Sequence, residues 1–136
     1  MKQRQKIAHM QAAYVYASLS YCIRRQVGCV IVKDNKIISI GYNGTPAGED
    51  NCCEDSVTGE TKQNVIHAEV NALDKIPIDE DLTSAYLFST TCPCMLCAEK
   101  VVDRRVGNVV YDEAKNTNSG LAYLLEHGVC VEQLSI

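Results

Sequence analysis

The N-terminal part of the chain shows a helical pattern of hydrophobic positions and then changes to a strand pattern. Hydrophobic and aromatic residues recur every three to four positions at Ile7, Met10, Tyr14, Ala17 and Tyr21. This spacing predicts an amphipathic helix over roughly the first twenty residues. Residues 27–32 are apolar at both alternating sets of positions, which indicates a strand covered on both faces. Residues 33–36 are typical of a turn, and residues 37–42 of the antiparallel partner strand.

The second half alternates between short helical and strand patterns. A short helix follows residue 66 and should stop near Pro77, because proline cannot continue a helix. Strands are predicted at residues 85–90, at 108–111 and from 129 onwards. Between them the pattern predicts a helix after Pro93 that Gly107 ends, and a helix that ends at Gly128. The order predicts one α/β domain over residues 1–136, with a mixed sheet whose last three strands are parallel and joined by crossover helices.

Composition narrows the classes of function. The 136 residues carry a net charge of −4, and an acidic chain is a poor partner for nucleic acid, so we expect no nucleic-acid partner. No apolar run is long enough to span a bilayer, and no signal-peptide core follows residues 1–6, which predicts no membrane association and a cytoplasmic protein. In a reducing cytosol the eight cysteines are more often metal ligands or buried hydrophobes than disulfides.

Two short motifs carry the chemistry. The first contains His67 and Glu69, and the second, Cys92-Pro93-Cys94-Met95-Leu96-Cys97, contains Cys94 and Cys97 three residues apart. An imidazole and two thiolates are typical zinc ligands that leave a fourth position open for water. Glu69 is then a carboxylate able to move protons on that water. Residues two apart in a helix cannot share a flank, so His67 and Glu69 must surround the N-terminal end of their helix.

Other interpretations exist for each motif taken singly. His67 alone is an ordinary residue, Glu69 alone a solvated helix carboxylate, and the cysteine pair alone a redox pair or half of a structural zinc site. Their joint occurrence favours one catalytic zinc per chain, because structural zinc sites usually have four protein ligands. Cys92 is the competing fourth ligand that would close the site, although we expect Pro93 to turn it away.

The combined pattern H-x-E…P-C-x-x-C is the known signature of zinc-dependent deaminases. The chain further resembles the deoxycytidylate (dCMP) deaminase family at residues 25–32, at the Gly41-Tyr42-Asn43-Gly44 loop and at the Asn51-Cys52-Cys53 segment. The resemblance runs from about residue 14 to residue 131. It implies the three-layer cytidine deaminase-like fold, with a five-stranded mixed sheet flanked by helices. It also implies a homo-oligomer, with a hexamer favoured.

The same resemblance implies a reaction and a set of substrate contacts. Zinc on His67, Cys94 and Cys97 activates water, and Glu69 moves protons to the cytosine ring and to the leaving amine, which converts dCMP to dUMP for thymidylate synthesis. Ala68, through its main-chain N–H, and Asn43 are the implied contacts to base and sugar. Arg24 and Arg25 are our candidates for the 5′-phosphate, and a solvated arginine pair is an equal alternative.

Several questions stay open at this level. The rival functions are deamination of another cytosine or adenine compound, and a zinc-binding interaction module without turnover.

Some relatives carry a second, structural zinc. Cys22 and Cys53 match two of its ligands, but no histidine lies between Cys53 and His67, so we expect these cysteines to be thiols. The resemblance also implies activation by dCTP and inhibition by dTTP. Because Pro77 shortens the helix after His67, we expect the inhibition by dTTP to be weakened or absent.

Overall fold

The computed structural model describes residues 1–114 and 118–136, and the helices and strands within them follow the predicted order. The elements are α1 Gln3–Ala17, β1 Gly28–Lys33, β2 Lys36–Tyr42, α2 Ala68–Asp74, β3 Tyr86–Thr91, α3 Met95–Asp103, β4 Asn108–Glu113, α4 Asn118–Glu126 and β5 Cys130–Gln133. No helix in these two ranges combines the length and apolar character that crossing a membrane requires.

The strands form a mixed sheet in the order β2-β1-β3-β4-β5. β1 pairs antiparallel with both β2 and β3, whereas β3, β4 and β5 are parallel. Asp34 and Asn35 both have positive φ, 52° and 59°, as the two central residues of a type I′ hairpin turn require. The predicted hairpin and the predicted parallel strands are both confirmed.

Each face of the sheet has its own hydrophobic core, so the fold has three layers. Val30 and Val32 of β1 pack with Met10 and Ala13 of α1 on one face. Alternate β1 residues such as Ile31 pack on the other face, with residues of α2, α3 and α4. Successive side chains of a strand point to opposite faces, so a strand buried on both faces must be apolar at both sets of positions. This explains the uninterrupted apolar sequence of β1.

Two helix ends differ from the sequence prediction. α1 ends at Ala17, and Tyr21, which continued the predicted stripe, lies outside the helix with 69% of its surface exposed. α3 ends at Asp103, and Arg105, not Gly107, adopts positive φ after it. Gly107 instead meets a neighbouring loop, since a Cβ there would lie 1.9 Å from the Thr83 carbonyl oxygen.

The expectation that Cys22 and Cys53 are free thiols is wrong. The two residues form a disulfide across a separation of 31 residues, with their Cα atoms 5.0 Å apart. Disulfide formation needs Cα atoms within about 7 Å, and this proximity results from the loop after β2 folding back on the segment after α1. Both sulfurs are thereby used, so neither is available to a second metal.

Candidate active site

α2 carries the first half of the site at its N-terminal end. His67 is the N-cap of the helix, with an extended backbone (φ −71°, ψ 153°), and Glu69 lies in the first turn. Because His67 precedes the first helical turn, its side chain is not bound by the helical spacing that would separate it from Glu69. Both residues line one cavity, which confirms the prediction that they surround the helix end.

The second half of the site is the start of α3. Cys94 is the N-cap of this helix, and Cys97 lies buried in its first turn. The N-terminal end of a helix presents free N–H groups and a positive dipole end, both of which stabilise thiolates. Gly120 of α4 packs against this start, where an added Cβ would lie 2.2 Å from the Pro93 carbonyl oxygen. The close contact supports the backbone that positions Cys94.

The three predicted ligands converge. Nδ1 of His67 lies 3.4 Å from Sγ of Cys94 and 3.3 Å from Sγ of Cys97, and all three ligand atoms lie within 4.8 Å of one another. In a tetrahedral zinc site with ordinary bond lengths, nitrogen and sulfur ligands are separated by roughly 3.5 Å. The donor set and its spacing therefore fit a zinc ion bound through Nδ1 and two sulfurs. Within the described ranges no other group of three or more such side chains clusters in this way.

Hydrogen bonds within the cluster shift the pKa values of its three side chains in different directions. Hydrogen bonds from Cys97 and then from His67 lower the pKa of Cys94 to about 3. The pKa of Cys97 is raised, first by its hydrogen bond to Cys94 and then by burial. The pKa of His67 is raised, chiefly by the hydrogen bond with Cys94. Thiolates are the form that binds zinc, so Cys94 is prepared for a cation.

Glu69 has the burial expected of a proton-transfer group. Its side chain is 3% exposed, and desolvation by burial raises its pKa. Carboxyl groups with a raised pKa can hold and release protons nearer to neutral pH than solvated ones can. The interpretation of Glu69 as a solvated surface carboxylate is incompatible with this burial.

Cys92 lies outside the ligand cluster. Its side chain is buried, and its pKa is raised to about 11, first by desolvation and then by the charges of Glu69 and Cys94. Its sulfur is not among the ligand atoms that lie within 4.8 Å of one another. Its main-chain N–H donates to the Glu113 carbonyl oxygen, 2.8 Å away, which extends the pairing of β3 with β4 up to the turn. The cluster that could hold a metal ion therefore contains three side chains, His67, Cys94 and Cys97.

The cluster opens into a cavity of about 220 Å³. Among the predicted substrate residues, Asn43, Ala68 and Arg25 line it, whereas Arg24 is not among its lining residues. Asn43 uses its side chain to hold backbone, accepting from the Val27 N–H at 2.9 Å and donating to the Arg25 carbonyl at 2.8 Å. Ala68 is the first residue of α2, where main-chain N–H groups have no partner within the helix.

Sequence reasoning missed part of the cavity wall. Glu54, Thr61 and Thr91 also line the cavity. Residues 54–64 form a polar stretch without a recognisable motif, and the only sequence signal for Glu54 is its position directly after Cys53. Thr91 ends β3 and therefore lies at the strand end next to the metal-site turn, a position that parallel strands commonly use for function.

The site has counterparts in known proteins. The sequence profile of the cytidine and deoxycytidylate deaminase zinc-binding region matches residues 3–113. The chain belongs to this family. Deoxycytidylate deaminase of Schizosaccharomyces pombe is 37% identical over 86% of the chain, and that of Saccharomyces cerevisiae is 36% identical over 93%. The chain spans only 39% and 43% of the lengths of these two relatives.

A solved structure within the family is similar over its whole length. The dCMP deaminase of cyanophage S-TIM5, crystallised in complex with dCMP and dUMP, superimposes with a TM-score of 0.92 and 37% identity. The similarity covers 98% of this chain and 99% of the phage protein. The predicted cytidine deaminase-like fold is confirmed, with its five-stranded mixed sheet flanked by helices.

Proposed function

We propose that the protein hydrolyses dCMP to dUMP and ammonia. The observation that carries the proposal is that buried Glu69 lines the same cavity as His67 and Cys94, which cluster with Cys97. The end-to-end similarity to a deaminase crystallised with dCMP and dUMP favours this substrate over other cytosine compounds.

The protein's own groups then have distinct roles. Bound zinc supplies the Lewis acidity that makes water nucleophilic near neutral pH. Glu69 accepts a proton from the attacking water and delivers it to N3 of cytosine. It then takes the proton of the new hydroxyl group on C4 and passes it to the departing amine, which leaves as ammonia while the C4 carbonyl forms. The burial of Glu69 supports this role, since burial raises the pKa of its carboxyl group and brings proton exchange nearer to neutral pH. His67, Cys94 and Cys97 hold the metal at the open end of two helices.

Substrate binding is assigned to three residues of the cavity wall. The Ala68 N–H is the donor for the base, and Asn43 shapes the sugar site. Arg25 is the ligand of the 5′-phosphate, which is supported by its place in the cavity wall and by the strength of guanidinium–phosphate pairs. Arg24 is not among the residues that line the cavity and is the weaker of the two candidates. We further propose that the enzyme works as a homo-oligomer, with a hexamer as the first expectation.

A substrate comparison tests the proposal. Zinc-loaded protein is incubated with dCMP, deoxycytidine and cytidine, and the loss of cytosine absorbance is followed, with metal-stripped protein as the control. We expect kcat/KM for dCMP to exceed that for deoxycytidine by about tenfold or more, because a charged hydrogen bond contributes roughly 1.5–3 kcal/mol. Faster turnover of cytidine would instead indicate a nucleoside deaminase, and no turnover of any of them an interaction module.

A further inference from the structure

Glu54 is a buried carboxylate for which the proposed reaction has no role. Only 7% of its surface is exposed, and it lines the same cavity as His67 and Glu69. Burying an ionised carboxylate is costly unless its oxygens are hydrogen-bonded. Its partners therefore indicate what the residue does.

Those partners are main-chain N–H groups of the segment after α1. Both carboxylate oxygens accept from the Ile23 N–H, at 3.2 and 3.1 Å, and Oε2 also accepts from the Arg24 N–H at 3.2 Å. Hydrogen bonds from backbone donors to a carboxylate are stronger than neutral ones. Glu54 thus fixes two consecutive peptide groups.

The disulfide strengthens the same attachment. Cys53 directly precedes Glu54, and its partner Cys22 directly precedes Ile23. Residues 53–54 therefore hold three consecutive residues, 22–24, one through a covalent bond and two through hydrogen bonds. A segment held at three neighbouring points has little freedom to change its backbone course.

Arg25 follows this held segment and is held from the cavity side as well. Its carbonyl oxygen accepts from the Asn43 side chain at 2.8 Å, and its Nη2 donates to the Thr91 hydroxyl at 2.6 Å. The two ion pairs in the described part of the chain involve other residues. Among the described residues the guanidinium therefore has no carboxylate partner, and the Glu54 carboxylate in the same cavity wall accepts from peptide groups instead.

We propose that Glu54 is a positioning residue, whose carboxylate holds the backbone at Ile23 and Arg24 so that Arg25 presents its guanidinium to the phosphate of the substrate. The inference rests on the proposed function, since it assumes a phosphorylated substrate. It assigns to Glu54 no contact with the reacting atoms. It therefore predicts that loss of the carboxylate weakens binding of the phosphate while the chemical step continues.

The test uses Glu54→Ala, Arg25→Ala and the double variant, each assayed with dCMP and with deoxycytidine. We expect Glu54→Ala to raise KM for dCMP by about tenfold with little change in kcat, as a misplaced binding group does. KM for deoxycytidine should stay the same, because this substrate has no phosphate. The double variant should resemble Arg25→Ala, since residues acting through one another give non-additive effects.

Two further variants distinguish the loss of the Glu54 carboxylate from a general disturbance of the loop structure. Glu54→Gln retains one acceptor oxygen and should recover part of the KM, and Glu60→Ala, which removes an exposed carboxylate from the same loop, should behave like the unmodified protein. Hydrogen exchange at the Ile23 and Arg24 amides should accelerate in Glu54→Ala. Zinc content measured for every variant should remain unchanged.

The outcomes separate the inference from the proposed function. An unmodified protein that does not deaminate dCMP overturns the proposed function. If dCMP is a substrate and Glu54→Ala retains its KM, or the two single effects add, only the role of Glu54 is overturned. An equal rise in KM for deoxycytidine would likewise overturn it, because Glu54 would then contact the nucleoside itself.

Discussion

At the scale of single residues, the site depends on which side of a helix boundary each residue lies. His67 and Cys94 are N-caps with extended backbones, while Glu69 and Cys97 lie in the first turns that follow. Cap residues direct their side chains around the helix end rather than along its flank. Ligand and acid–base residues only two positions apart can therefore serve one site.

Replacing Glu69 by glutamine should separate catalysis from metal binding. Glu69→Gln keeps the shape of the side chain but removes the proton-transfer group, so we expect kcat for dCMP to fall by roughly 10²–10⁴-fold or more. Zinc content, measured by metal analysis, should stay at one per chain. Near-normal turnover in this variant would contradict the assigned mechanism.

Replacing a predicted metal ligand, unlike replacing Glu69, should remove the zinc first and the activity as a consequence. His67→Ala and Cys97→Ala remove one of three ligand atoms that lie within 4.8 Å of one another. We expect both variants to lose zinc on dialysis, and activity with it, because three protein ligands are the usual minimum for catalytic zinc. A full complement of zinc in either variant would show that the ligands are misassigned.

Tyr14 offers a test of stability that is independent of the site. Its hydroxyl donates to Oδ2 of Asp112 at 2.6 Å, and burial followed by this hydrogen bond raises the pKa of Tyr14. Because the pKa of Tyr14 in the folded protein lies above its unfolded value near 10, this hydrogen bond contributes its full stabilisation below pH 10. The stabilisation is lost as the pH rises from 10 towards the folded pKa. Tyr14→Phe should lower the free energy of unfolding by about 1–2 kcal/mol at pH 7.

The pH dependence provides the control for that prediction. In urea unfolding, the difference between the unmodified protein and Tyr14→Phe should shrink above pH 10, where the unfolded phenol ionises. Tyr21→Phe, at a position that is 69% exposed, should change stability little at any pH. A constant difference across the pH range would mean that the hydroxyl is not hydrogen-bonded as described.

At the scale of elements, close backbone contacts place the helices that carry the ligands. Gly41 of β2 lies against α2, where an added Cβ would be 2.3 Å from the Ala68 carbonyl oxygen and 2.7 Å from the Ala72 N. Further along α2, the Ala72 carbonyl oxygen accepts from the Ser39 hydroxyl at 2.7 Å. β2 therefore sets the distance of α2 from the sheet, and with it the position of His67.

A single methyl group at Gly41 should disturb the metal site from a distance. Gly41→Ala should push α2 away from β2 and cost about 1–3 kcal/mol of stability, as overpacking does. We also expect weaker zinc binding, measured by competition with a chelator. Gly44→Ala is the matched control, because no atom lies within 4 Å of the added Cβ; equal zinc affinity in the two variants would contradict the prediction.

At the scale of the whole molecule, the short length of α2 affects how nucleotides are expected to regulate the enzyme. α2 ends at Asp74, which confirms the early stop predicted from Pro77. Effector control requires a nucleotide to bind two states of an assembly with different affinity. The resemblance to deoxycytidylate deaminases implies a longer helix at this position that relays between subunits, and α2 is too short for such a relay.

We therefore expect regulation by nucleotides to be weak. Rates measured against dCMP concentration, with and without dTTP or dCTP, should give a nearly hyperbolic curve that dTTP inhibits little. Molecular mass in solution, measured on the same samples by light scattering, tests the expected oligomer. A strongly sigmoidal curve that dCTP makes hyperbolic and dTTP suppresses would show that the relay survives the shorter helix.

The sequence by itself determined the order of the elements and singled out His67, Cys94 and Cys97, which cluster in the fold, together with Glu69 beside them. These features are local: apolar periodicity follows from which faces are buried, and ligand spacing within each motif follows from helix geometry. The burial of β1 on both faces and the early end of α2 could also be predicted from local sequence, the first from its apolar residues and the second from Pro77.

The tertiary structure decided what depends on distant parts of the chain meeting. The Cys22–Cys53 disulfide, the hydrogen bonds of Glu54 to Ile23 and Arg24, and the place of Arg25 in the cavity wall all join the loop after β2 to the segment after α1. Residues 31 apart in sequence carry no local pattern for such contacts. Their meeting follows from how the loop folds back over the sheet, and the sequence contains no periodic signal for the course of a loop.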